Sequence, residues 1–191
     1  MKQKEVIAAG ADWKTIPPSG FIGTPFERIG KGWMLITAGD VKNDKGYWNT
    51  MTASCGGLGV LWGKYTAIMY IRPSRYTFEF SEKSDIFTLS FFDESKREAL
   101  NICGSKTGRD TDKAAAAGLT PIVFEDLPAM DTQPAGSAVS FGEAADILIC
   151  RKLYACDFDP SKFLDPSIEN NYRNKDYHKM YIGEIISVKT R

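Results

Sequence analysis

The sequence predicts a mainly β protein, a barrel-like sheet with a few short peripheral helices, and three observations carry that expectation. Seven or so short runs rich in Val, Ile, Leu, Phe and Tyr recur along the chain, separated by turns containing Gly, Pro, Asn or Asp. Only two or three segments have helical composition, and they do not alternate with the strands as βαβ units would. With 191 residues, 43% of them apolar, the chain suits one domain over 1–191 with a sizeable core.

The first thirty residues hold Pro17-Pro18-Ser19-Gly20 and Gly23-Thr24-Pro25, which favour extended or turn geometry. They predict an N-terminal arm over 1–30, of the kind that packs on a second copy. Trp33 to Ala38 reads as a buried strand, Gly39 to Gly46 as a polar hairpin-like turn, and Tyr47 to Ser54 as the returning strand. Thr66 to Arg72 is mostly apolar and suits a strand buried on both faces, which Pro73 ends by removing a ladder donor. Thr77 is a candidate cap for a short helix through Glu82, and Asp85 to Phe92 resumes the strand pattern.

Ser95 and Glu98 have the spacing of a capping box, so a second helix is expected there, with Gly104 as its left-handed stop. Asp110 or Asp112 can cap the run Lys113-Ala114-Ala115-Ala116-Ala117, which Gly118 ends. Further strands are expected at Pro121 to Glu125, Ser137 to Phe141, Ala144 to Ala155 and Met180 to Lys189. Between them, 157–178 turns polar, with Asp159-Pro160, Asp165-Pro166 and Asn170-Asn171 as turn formers. A surface loop inserted before the last strand follows, and loops of that length often serve as lids.

Charge and cysteine usage exclude several function classes. Lys plus Arg and Asp plus Glu each number 24, so no overall basic field exists to capture nucleic acid or an anionic membrane. No stretch approaches the roughly 18 apolar residues of a membrane span, and the apolar run after Met1 to Glu5 breaks at Gly10 and Asp12, too early for a secretory segment. A cytoplasmic protein is expected. Cys55, Cys103, Cys150 and Cys156 form no C-x-x-C pair, and the lone His178 has no second histidine for a zinc constellation, so no metal site is expected. Gly57-x-Gly59 meets Trp62 where a dinucleotide loop needs glycine, and Gly63-Lys64 is preceded by Leu58 where a phosphate loop needs one. There is no Gly-x-Ser-x-Gly elbow for triad hydrolysis.

One pair of segments does point to a ligand. Asn49-Thr50-Met51-Thr52-Ala53-Ser54-Cys55-Gly56-Gly57 sets hydroxyls and glycines where a backbone can approach a ligand closely. Downstream, Arg72-Pro73-Ser74-Arg75-Tyr76-Thr77 offers two guanidinium forks able to grip a phosphate. The plainer readings are a strand end with a glycine turn, and arginines paired with surface acids. Ser105-Lys106-Thr107-Gly108-Arg109-Asp110, ahead of the alanine helix, suits either an anion site or a capped helix after a solvated turn. Trp33, Trp48, Trp62 and Tyr76 are candidates for stacking on a ring or for filling the core.

The segments Asn49 to Gly57 and Arg72 to Thr77, with Trp33-Met34-Leu35-Ile36-Thr37-Ala38-Gly39, Gly108-Arg109-Asp110-Thr111-Asp112-Lys113 and His178-Lys179-Met180-Tyr181-Ile182-Gly183-Glu184, follow the order seen in flavin reductase-like proteins. The chain resembles the FMN-binding split barrels, flavoredoxin-type members included, from about residue 30 to its end. What the resemblance implies is a homodimer that binds FMN non-covalently at the subunit boundary. It would take hydride from NADH or NADPH and pass electrons to an acceptor protein or small molecule. By the same resemblance Asn49, Met51, Thr52, Ala53, Ser54 and Cys55 line the flavin, and Arg72, Arg75 and Thr77 reach its phosphate. Ser105, Lys106 and Arg109 lie near the flavin, often that of the partner subunit, and His178 is the candidate catalytic residue, donating a hydrogen bond or managing a proton. The competing readings are a flavin bound, reduced and released as a substrate, and an FMN-binding electron carrier or flavin sensor without significant NAD(P)H oxidation.

Overall fold

The computed structural model describes residues 5–21, 23–39, 41, 47–125, 127–128 and 136–191. Most of the polar turn read between Gly39 and Gly46 lies outside them. Eleven strands are present among the described residues: β1 (Ile7–Ala8), β2 (Lys14–Ile16), β3 (Met34–Gly39), β4 (Trp48–Ala53), β5 (Gly56–Leu61), β6 (Lys64–Ile71), β7 (Ile86–Phe91), β8 (Pro121–Phe124), β9 (Ala138–Phe141), β10 (Asp146–Asp157) and β11 (Lys179–Thr190). Three α-helices accompany them, α1 (Tyr76–Lys83), α2 (Arg97–Ser105) and α3 (Lys113–Ala117).

The large sheet runs β4-β3-β7-β10-β11-β6-β5, with β2 added beside β11, and its neighbours are antiparallel. A small sheet of order β1-β8-β9 lies apart, β1 joining it in parallel. Alternation of side chains along a strand explains how β3 is buried throughout. Met34 and Ile36 face a core with Met69, Phe87, Leu89, Leu148 and Tyr181, while Leu35 faces Trp48, Leu100, Cys103, Ala114 and Phe141 under α2 and α3. The expected strand-rich fold with few short helices is what the chain adopts.

Several local expectations are corrected. Gly56 and Gly57, for which a glycine turn is the plainer sequence reading, instead open strand β5, held in the sheet by its pairing with β6. Apart from these corrections, the N-terminal segment forms short pairings within its own chain, β2 with β11 and β1 with β8, and includes a π-helical turn at Phe26–Lys31. Ser95 and Glu98 make no capping box, because a 3-10 turn at Glu94–Lys96 precedes α2 and puts Ser95 inside a helical turn. Gly104 is not a left-handed stop either, since α2 runs on to Ser105. Its lack of a side chain serves close packing: a Cβ there would sit 3.2 Å from Thr52 Cβ. Thr77 lies within α1, whose N-cap is Arg75 without a side-chain cap. By contrast Asp112 caps α3 by accepting from the Ala115 amide, and Gly118 closes it at φ 62°.

Gly183 tests the closeness of the sheet to its core. A Cβ added there would lie 2.5 Å from Phe87 Cε1 and 3.1 Å from Cys150 Cβ, both in buried residues. Gly183→Ala is expected to lower stability by about 1–3 kcal/mol through overpacking, read as a lower urea midpoint at unchanged m-value.

Candidate functional site

The site forms where three chain segments meet. β4 brings Met51 and Thr52, the turn from β6 into α1 brings Ser74, Arg75, Tyr76 and Thr77, and the end of α2 brings Gly104 to Thr107. Lys113, in the first turn of α3, completes a cavity of about 90 Å³. That is below the roughly 300–1,000 Å³ of sites that enclose drug-sized molecules, so it suits a phosphate-sized group, with the rest of a larger ligand lying outside.

Local structure explains each placement. Pro73 ends the β6 ladder, the Arg75 amide donates to the Arg72 carbonyl at 2.9 Å, and this tight turn starts α1. The first amides of α1 therefore open beside the Arg75 side chain, the arrangement that favours an anion. Lys113 is buried, with Nζ donating to the carbonyls of Thr50 at 2.9 Å and Cys103 at 2.8 Å. Among the described residues no carboxylate lines the cavity, whereas Arg75, Lys106 and Lys113 all do. The field there is positive.

Hydroxyl protons are partly committed already. Thr52 Oγ1 donates to the Leu100 carbonyl, Ser105 Oγ to the Asn101 carbonyl at 2.8 Å, and Ser74 Oγ to Asp176 at 2.8 Å. Thr77 Oγ1 instead accepts from Asn49 Nδ2 at 2.9 Å, and Thr107 Oγ1 accepts from the Arg109 amide at 3.3 Å, so these two keep a proton to donate.

Of the residues expected at a site, Met51, Thr52, Arg75, Thr77, Ser105 and Lys106 come together around this cavity. Asn49 is buried behind it and holds Thr77. Ala53 is buried at the end of β4, and Ser54 and Cys55 are exposed on the bend beyond. Arg72 points elsewhere, to Asp176 at 3.2 Å and over the Tyr172 ring at 4.9 Å. Arg109 also stays out of the cavity, bonded to Glu79 and lying over Tyr76 at 4.4 Å. Trp48 fills the core and Trp62 is exposed.

His178 sits at the root of the 158–178 loop, among Tyr70, Phe158 and Tyr172. Its Nδ1 is 2.8 Å from the Tyr172 hydroxyl. Burial, and next the Arg72 guanidinium, hold its pKa below the ordinary value.

Lys113, Ser74, Thr107 and Asp176 were missed in the sequence. Lys113 did carry a signal, since a cation in the first turn of a helix opposes the helix dipole and calls for a local reason.

No family model matches the sequence, and no curated protein matches it. Solved structures do share its fold. A flavin reductase-like FMN-binding domain from Shewanella baltica OS155 superposes with a TM-score of 0.58 at 15% identity, over 94% of this chain and 77% of that one. Flavoredoxin from Methanosarcina acetivorans gives 0.58 at 18% identity, over 84% and 68%. Flavoredoxin of Desulfovibrio vulgaris (Miyazaki F) gives 0.57 at 18%, over 83% and 69%. The fold is the split barrel of the flavin reductase-like proteins and flavoredoxins.

The solitary histidine makes one consequence directly measurable. Its lowered pKa means that the folded state binds fewer protons than the unfolded state between the two pKa values. The stability His178 contributes is therefore present above its unfolded value, about 6.5, and is lost as pH falls toward the folded value. The imidazole proton resonance should titrate with a midpoint below about 6.5, and a midpoint at or above it would contradict the placement.

Proposed function

We propose that the protein is an FMN-binding oxidoreductase that accepts hydride from NADH or NADPH and passes electrons to an acceptor protein or small molecule. The observation that carries the reading is the cavity at the start of α1, lined among the described residues by three cations and no carboxylate, on a split-barrel fold. The residues present suit the cofactor's phosphate: Arg75 and Lys106 supply charge-assisted donors, Thr77 and Thr107 supply hydroxyl protons, and Lys113 supplies a buried positive charge beneath. Asn49 acts through Thr77, whose oxygen it occupies.

The bound flavin would supply the two-electron chemistry, and the chain's task is binding, orientation and electrostatics. On this reading Met51, Thr52 and the bend at Ser54 and Cys55 border the ring, and exposure of that bend leaves room for a nicotinamide. His178, kept neutral by burial and by Arg72, can donate or accept a hydrogen bond near neutral pH without adding a charge. Arg109, paired with Glu79 at the surface, would on this reading lie near the flavin of a second subunit.

A homodimer belongs to the same reading. Val60, Trp62 and Tyr65 are 69%, 63% and 48% exposed on the β5–β6 hairpin, apolar surface that a second copy would cover. Cys103 and Cys150 are buried, and burial raises the Cys103 thiol pKa to about 11, which keeps it a structural thiol. No helix among the described residues is long and apolar enough to cross a membrane.

The test is spectroscopic. Purified protein titrated with FMN is expected to quench flavin fluorescence at saturable stoichiometry, and Arg75→Ala should weaken binding about 10- to 100-fold for the loss of one charge-assisted contact. Anaerobic NADH or NADPH should then bleach the bound flavin. Retained colour with both would make the protein an electron carrier or sensor, and absence of any quenching would end the flavin reading.

A further inference from the structure

The 158–178 loop is joined to the phosphate-site turn by one carboxylate. Asp176 Oδ1 accepts from Arg72 Nη1 at 3.2 Å, and Oδ2 accepts from Ser74 Oγ at 2.8 Å. These two donors flank Pro73, so a single side chain fixes both sides of the turn that ends in Arg75. Ser74 and Arg75 both line the cavity, whereas Arg72 does not. On the loop side, Arg72 also lies over Tyr172, a buried residue whose hydroxyl meets His178 and whose carbonyl accepts from the Lys175 amide at 2.9 Å. Lys175 takes up the left-handed conformation, φ 54°, which turns the chain back so that Asp176 faces the turn.

We propose that Asp176 is a positioning residue that clamps the loop to the Arg72–Arg75 turn, so that seating of the loop and capture of a phosphate at Arg75 favour each other. This rests on the phosphate-site reading above and assigns the loop a role within it. Ser74 and Arg72 hold the Asp176 carboxyl below its ordinary pKa against the opposing effect of burial, so the clamp is ionised at neutral pH. Its charge neutralises Arg72, leaving Arg75 as the guanidinium directed at the cavity. Because coupling between two sites is reciprocal, a phosphate that needs Arg75 in place must also tighten the loop. The loop's aromatic contacts, Phe163 stacked on Tyr172 and Phe158 against Tyr70 and His178, make it one body that a single anchor can hold.

The rival arrangement has Arg72 turning into the cavity as a phosphate ligand, with Asp176 competing for it. A double-mutant cycle on the full chain separates the two. Asp176→Ala and Arg72→Ala should each weaken FMN binding about ten-fold, within the usual range of coupling, and the double variant should bind no more weakly than either. If Asp176→Ala binds FMN as tightly as the parent or more tightly, or if the two losses add, the clamp is overturned. Amide hydrogen exchange across 158–177 supplies a second readout that needs no activity. Exchange should quicken in Asp176→Ala, or in Asp176→Asn should the alanine variant fail to fold, and it should slow in the parent when FMN is added. Unchanged exchange in the variant refutes the clamp. A parent that binds no FMN, yet whose loop loosens on the substitution, refutes the flavin reading and leaves the clamp standing.

Discussion

The structure depends on the pairing of β10 with β11, two twelve-residue antiparallel strands matched from Asp146 with Thr190 to Asp157 with Lys179. Every other strand of the large sheet is attached through them: β7, β3 and β4 on one flank, β6 and β5 on the other, with β2 beside β11. Register shifts at Ile149/Cys150 and Lys152/Tyr154 break the regular ladder, and such bulges increase local twist, which a sheet needs in order to curl around a core. The same pairing fixes the loop. Its two ends leave neighbouring positions of one hairpin, and the Phe158 amide donates to the His178 carbonyl at 2.9 Å just beyond the last pair. A long excursion thus starts and finishes at a rigid base, beside the turn that follows β6.

Positive charge at the cavity is arranged in depth. Lys106 and Arg75 are exposed at its mouth, where solvent screens them, while Lys113 is buried and satisfied by two backbone carbonyls. Arg72 and Arg109, which belong to the same stretch of sequence chemistry, are each matched with an acid, Asp176 and Glu79. Two of these five cations, Arg72 and Arg109, are therefore paired with acids outside the cavity lining. That separation, more than the number of basic residues, distinguishes the cavity lining in a chain whose charges balance.

The sheet was legible wherever strands obey simple periodicity. Residues from Trp33 to Ala38, Thr66 to Arg72 and Met180 to Lys189 are apolar on one or both faces, and burial of this kind selects a strand almost by itself. Strand β5 was not legible, because its glycines lack side chains to pack and its strand character comes from β6, a partner beyond a turn. The capping box failed for a related reason: spacing identifies a possible cap, but only the path of the chain decides whether Ser95 lies at the helix boundary or one turn within. At the site, the residue types were visible and their division of labour was not. Nothing in Arg-Pro-Ser-Arg distinguishes the guanidinium that faces the cavity from the one that faces away, since the distinction is made by Asp176, about a hundred positions later.

The sheet order also has a consequence for how the chain is made. β6 lies between β5 and β11, yet β11 is about a hundred residues further along the sequence. At a synthesis rate of roughly 5–20 residues per second, one flank of that apolar strand waits on the order of five to twenty seconds on the ribosome before its neighbour exists. During that interval the β5–β6 hairpin presents the open backbone edge of β6, and Ala67, Met69 and Ile71, which end fully buried, to any nascent or chaperone surface within reach, until β11 emerges to pair with it.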